Sequence, residues 1–114
     1  SEDLAKRISH ALAYRPDVEP KKMFGGLAFM INGKMAVGIV KEELMVRALP
    51  EKYESALQQP FAKKMDFTGR VMKGFVQVET PGFESEEQLQ FWLETGIEFA
   101  EKGEVKKPKQ KKAL

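Results

Sequence analysis

The chain has 114 residues, 42% of them hydrophobic and 32% charged. That length fits one domain able to bury a core, and no apolar run approaches the roughly 18 residues that a membrane span needs. Zero cysteines exclude a disulfide framework, and a single histidine, His10, leaves too few ligands for a Cys/His metal site. The formal charge of +2 is uneven: residues 103–114 hold five Lys against one Glu, while residues 1–102 hold 14 basic and 16 acidic side chains, so the basicity belongs to the C-terminus. No basic-then-apolar leader pattern opens the chain, and the expected location is cytoplasmic.

Apolar positions at Leu4, Ile8, Ala11 and Leu12 follow the helical repeat and predict an amphipathic helix over 3–15, ended by Pro16. Asp17-Val18-Glu19-Pro20 reads as a turn. The longest apolar stretch then predicts a β-hairpin, with strands near 23–31 and 34–40 joined by a type I′ turn at Asn32-Gly33. A regular two-residue loop would pair Ile31 with Lys34, Phe29 with Ala36 and Leu27 with Gly38 on one face, and Met30 with Met35 and Ala28 with Val37 on the other. Both faces are largely apolar, so the hairpin belongs inside a sheet that is covered on both sides, or covered on one and used for contact on the other.

A turn at Lys41-Glu42-Glu43 leads to a third strand over 44–49. Pro50 then opens a short helix with Tyr53, Ala56 and Leu57 on one stripe, stopped by Pro60. Residues 64–67 and 71–79 predict a second hairpin about Thr68-Gly69. Ser85-Glu86-Glu87-Gln88 is a capping box opening a helix over 86 to about 102, with Leu89, Trp92, Leu93, Gly96 and Ala100 on one arc, Phe91 opposite, and Gly103 as C-cap. The order is α-β-β-β-α-β-β-α, an α+β fold of two layers with a five-stranded antiparallel sheet, in one domain over 1–103. The segment 104–114 has too little apolar content to fold and is expected to be disordered.

Four glycines carry structural expectations. Gly33 serves the turn, Gly25-Gly26 marks a bulge or close backbone approach, and Gly26 and Gly38 are packing glycines. The Gly pair is not a phosphate loop, because a strand and not a helix follows it. His10 falls opposite the apolar arc and reads as solvent-facing. The carboxylates are scattered as on a solvated surface, so no catalytic residue, metal ligand or cofactor site is expected. The methionines could make an adaptable binding surface, although Met in a small core is commoner. Phe91, alone among polar neighbours, is a candidate interface residue. With the hairpin's second apolar face it motivates an expectation of homodimerisation. Lys106, Lys107, Lys109, Lys111 and Lys112 could contact nucleic acid through phosphates without reading bases, or serve only as a solubilising tail.

Three stretches together resemble a known family: Lys22-Met23-Phe24-Gly25-Gly26 through Asn32-Gly33-Lys34, then Met65 through Val76, then Leu89-Gln90-Phe91-Trp92-Leu93. Over about residues 4–102 the chain looks like the TfoX N-terminal domain family, whose longer members are similar to competence-gene regulators with an added C-terminal domain. The resemblance implies a two-layer α+β domain with an antiparallel sheet and supplies no catalytic residues. The expected function is a non-enzymatic regulatory or interaction module, linked to transcription regulation through an unknown protein partner or weak nucleic-acid contact by the tail. The alternative is a small ligand-binding protein or hydrolase with a carboxylate-based site, for which Asp66, Glu79 or Glu42 would have to converge in a pocket.

Overall fold

The computed structural model describes residues 2–103 other than 24 and 68. The basic segment 104–114, with the five tail lysines, lies outside the described residues. The elements run α1 (Glu2–Ala11), β1 (Val18–Met23), β2 (Gly26–Ile31), β3 (Lys34–Val40), β4 (Glu43–Arg47), α2 (Pro50–Leu57), β5 (Ala62–Phe67), β6 (Arg70–Val78), a 3-10 turn Thr80–Phe83, and α3 (Glu86–Lys102). All six strands form one open antiparallel sheet in the order β1-β2-β3-β4-β6-β5.

The sheet therefore has six strands where the periodicity predicts five, and the order becomes α-β-β-β-β-α-β-β-α. The additional strand is β1, whose first half reads as a turn because of Pro20. Four of its six residues are exposed, so it shows no alternation of apolar and polar positions. It forms because it lies at the sheet edge, where a residue without an N–H is tolerated, and Pro20, Lys21 and Lys22 also discourage pairing with another chain there. With β1 in place, Met23 pairs with Gly26 in the ladder, and Gly25 takes φ +73°. The glycine pair is thus a turn followed by a close approach, with no bulge there: a Cβ on Gly26 would lie 1.8 Å from the backbone oxygen of Ile39.

The β2–β3 hairpin turns at Asn32-Gly33 with φ +53° and +78°, the two positive angles that a type I′ turn requires. Next to the turn the pairing follows the two-residue register, Ile31 with Lys34 and Met30 with Met35. Beyond it a β-bulge at Ala36 shifts the ladder, so that Phe29 faces Val37, Ala28 faces Gly38 and Leu27 faces Ile39. This corrects the regular register, which pairs Phe29 with Ala36, Ala28 with Val37 and Leu27 with Gly38. The shift has a packing cause: it aligns Leu27, Ile39, Leu44, Val78 and Ala62 in one row and Phe29, Val37, Val46 and Val76 in the next. Both rows face the helices.

On that side all three helices join a single core. Leu4, Ile8 and Leu12 come from α1 and the turn after it, Ala56 from α2, and Leu89, Trp92, Leu93, Ile97 and Ala100 from α3. Each fully buried large aliphatic side chain contributes roughly 1.5–3 kcal/mol, so this layer supplies most of the driving force. The capping box is formed as its spacing predicts. The Ser85 hydroxyl accepts from the Gln88 N–H and the Gln88 side-chain oxygen accepts from the Ser85 N–H, each at 3.0 Å. Trp92 is buried and donates its indole N–H to the Gly82 carbonyl at 3.1 Å, which fastens the 3-10 turn to α3.

Candidate interaction surface

The other face of the sheet is built differently. Its second apolar cluster joins Ala28, Met35, Met45, Met65 and Phe75, all buried, with Met23, Met30, Val40 and Met72 packed around them. Every member lies on a strand, and none of the three helices contributes to it. All six methionines of the chain are here, one on each strand from β1 to β6. Read from the sequence, methionine is ambiguous between core filler and binding surface. The alignment of strands gathers them onto the face that no described helix covers.

Two small residues, Ala28 and Gly38, lie side by side at the centre of this face. Ladder partners share a face, and one row runs Lys21, Ala28, Gly38, Met45, Gln77, Lys63 across the whole sheet. Gly38 leaves a shallow depression that two methionines fill: a Cβ at 38 would lie 3.0 Å from the Met45 methyl and 3.2 Å from the Met35 methyl. The methionine side chains therefore lie down over Gly38 and bury one another, which explains how they are shielded without a second layer of helices. Lys21 and Lys63 stand at the two ends of the row, both exposed. Lys63 is ion-paired with Glu79 at 3.1 Å, and Glu43 accepts a hydrogen bond from Gln77.

Arg47 borders this face at the end of β4, opposite Phe75 in the ladder. Its guanidinium carbon is 4.5 Å from the ring centroid of Phe75 and 4.5 Å from that of Phe99 on α3, so the cation lies between two aromatic faces. Gly74 in β6 lies beside it: a Cβ there would stand in ordinary contact, 3.4 Å from the Arg47 Nε, and what favours glycine at this position is its φ of +85°. That Nε is shielded from solvent and has no hydrogen-bond partner, and burial lowers the pKa of the group. Among the described residues no carboxylate pairs with it.

The residues singled out from sequence fall in separate places. Phe91 lies on the outer side of α3, 42% exposed, with its ring edge-on to Trp92 at 4.9 Å, remote from the methionine face. His10 is exposed in the last turn of α1. Of the three carboxylates on which a hydrolytic site would depend, Glu42 lines an open groove with Ala5, Lys22, Gly26, Leu27 and Ile39, Glu79 is paired with Lys63, and Asp66 lies at the far end of the β5–β6 ladder. The three do not converge. Among the described residues no group of three or more His, Asp or Glu is placed to hold a metal ion, and no helix is long and apolar enough to cross a membrane.

Sequence reasoning did not single out Arg47. The available signal was weak, a lone arginine ending an apolar strand. The Phe75 and Phe99 that enclose it are 28 and 52 positions away in the chain.

Together these features define an α+β domain with three helices packed on one face of an open antiparallel sheet and a methionine cluster on the other. The chain belongs to the TfoX N-terminal domain family, whose model matches residues 10–100. Comparison with curated proteins and with solved structures gives no match.

Proposed function

We propose that the chain is a non-enzymatic regulatory or interaction module of the TfoX N-terminal kind, linked to transcription regulation through a protein partner. Family membership supports the regulatory part of this reading. The observation that carries the interaction part is the methionine face: an apolar cluster made only of strand residues, bordered by charged and amide side chains, with no described helix across it. The partly exposed members Met23, Met30, Val40 and Met72 are the part of this cluster that another polypeptide can reach. The tail lysines Lys106, Lys107, Lys109, Lys111 and Lys112 add a weak, sequence-independent attraction for nucleic acid as a secondary property. The carboxylate-based alternative gains no support from Asp66, Glu79 and Glu42, which lie apart.

A pull-down from native lysate, run with and without nuclease, tests the reading. The expected result is a protein partner retained after nuclease treatment. Loss of all captured material on nuclease treatment would make the chain a nucleic-acid binder and overturn the protein-partner reading.

A further inference from the structure

We propose that the lysine tail folds back along the outer stripe of α3, where Lys109, Lys111 and Lys112 meet the carboxylates of Glu87 and Glu94. The half-exposed rings of Phe91 and Phe61 receive the lysine stems and Leu114. This contact is separate from the methionine face and does not depend on what binds there.

The surface is set by the helical repeat of α3. Glu87, Phe91, Glu94 and Glu98 recur at intervals of four, three and four residues, so they share one stripe, on the side away from the arc buried against the sheet. Phe91 is 42% exposed, with Glu87 one turn before it and Glu94 one turn after it, both exposed. The cations on and beside α3 are engaged elsewhere: Arg7 with Glu86, Arg15 with Glu101, and Lys52 and Lys102 with Glu98. Glu94 accepts a hydrogen bond from the Gln90 amide, and among the described residues no cation pairs with it or with Glu87.

A second ring extends this surface. Phe61 is 50% exposed and holds φ +67°, in a turn closed by the Ala62 N–H on the Gln59 carbonyl at 3.2 Å, at a position where glycine is usual. The left-handed backbone costs free energy that a ring left half in water recovers only in part. A Cβ on Gly82 would lie 3.1 Å from the Phe61 Cβ, the Gly82 carbonyl accepts the indole N–H of Trp92, and the Phe91 ring meets Trp92 edge-on. The buried Trp92 and Gly82 thus link the two half-exposed rings.

Charge and reach select the occupant. Unpaired carboxylates on both sides of Phe91 repel nucleic acid and acidic polypeptides, and a second copy applying the same stripe would set Glu87 and Glu94 against their own counterparts. A basic segment fits, and the chain carries one. Gly103 leaves α3 on the sheet side, where Lys34 holds its carbonyl. From there the tail has to pass round the helix, about 10 Å across, and run back roughly 18 Å to draw level with Phe91. Residues 104–114, extended, span up to about 36 Å, so Lys109, Lys111 and Lys112 arrive beside Phe91. Tethering gives the tail an effective concentration in the millimolar range, which a separate basic partner has to exceed. The pairs are exposed, so the contact is weak and salt-sensitive and adds little to the stability of the fold. With the tail in place Phe91 is covered, and a partner that uses this residue has to displace it.

The absence of cysteine supplies the test, because Gln110→Cys then takes a single nitroxide label. In the full 15N-labelled chain at low salt, the label should broaden the amide signals of residues 87–94 and of Phe61 more than those of the rest of the surface. Salt at about 1 M, where the screening length is about 3 Å, should remove the excess. Glu87→Gln combined with Glu94→Gln should cut it about threefold, and unchanged Trp92 fluorescence shows that the fold is kept. Broadening spread evenly over the surface, concentrated on the methionine strands, or unaltered in the double variant would each overturn the proposal. A mixture of nitroxide-labelled chain without 15N and 15N-labelled chain without nitroxide should show no such pattern. The same pattern in that mixture would place the tail on a second copy and overturn the intramolecular contact.

Discussion

Gly96 of α3 rests on the backbone of Ala36, the bulged residue of β3: a methyl group at 96 would lie 2.3 Å from the Ala36 carbonyl oxygen and 2.8 Å from a Val37 methyl. The helix can approach this closely only because the residue is glycine, and the bulge is the part of the sheet it meets.

Three glycine substitutions should therefore rank by what their new side chain strikes. Gly96→Ala and Gly26→Ala both drive a methyl into backbone and should cost about 1–3 kcal/mol or more, even after the loss of glycine's extra freedom in the unfolded chain. Gly38→Ala meets mainly the flexible ends of Met35 and Met45 and should cost less than either. Gly38→Leu should overpack the same place by roughly 1–3 kcal/mol. Urea denaturation of the four variants checks the order. A Gly96→Ala protein as stable as the parent would contradict the close packing of α3 on the bulge.

Lys34, the first residue after the Asn32-Gly33 turn, donates its ammonium to the Gly103 carbonyl at 2.8 Å and so places a positive charge at the C-terminus of α3. A cation there interacts favourably with the helix dipole. Lys34→Met keeps the length of the side chain and removes the charge, and should lower stability by about 0.3–1 kcal/mol. Amide exchange in the last turn of α3 should quicken more than exchange at Leu89 near its start.

Arg15 holds both oxygens of Asp17, each at 3.0 Å, and is also 3.1 Å from Glu101 of α3. The Asp17 carboxyl is lowered below its ordinary value chiefly by the hydrogen bond from Arg15. Because the folded state favours the ionised form, this contribution is complete above the unfolded-state pKa and is lost as pH falls through the lower folded-state value. The melting temperature of Asp17→Asn should therefore lie below that of the parent at neutral pH, and the gap should close on acidification below the ordinary carboxylate range. The group is solvent-accessible, so salt should shrink the gap as well. A gap that widens in acid would show the sign to be wrong.

Removing residues 104–114 should leave the melting temperature almost unchanged, because the segment has little apolar surface to bury. If the tail meets duplex DNA, its five lysines neutralise about five phosphates at most, and log K should fall with log salt at a slope near −4 or shallower, without preference among sequences. Truncation should abolish that dependence. Binding that survives truncation, or that discriminates between duplexes, would place the contact on the folded part of the chain.

Local chemistry determined much of this protein. The periodicity of Leu4, Ile8 and Leu12, the Asn32-Gly33 turn, Pro50 at the start of α2 and the Ser85–Gln88 capping box each act within a few residues, and all are legible in the chain. The sixth strand was not, because β1 owes its conformation to pairing with β2 and not to any pattern of its own. The bulge at Ala36 was not legible either, since the two-residue turn dictates a regular register and only the need to align Val37 and Ile39 beneath α3 overrides it. The candidate surface belongs to the same category. Each methionine is an unremarkable strand residue until hydrogen bonding sets the six strands side by side, and Arg47 lacks a defined environment until Phe75 and Phe99 close on it. Short-range sterics and hydrogen bonds are written locally in the sequence, whereas which side chains share a face depends on ladder register, and register is chosen by the packing of the whole sheet against its helices.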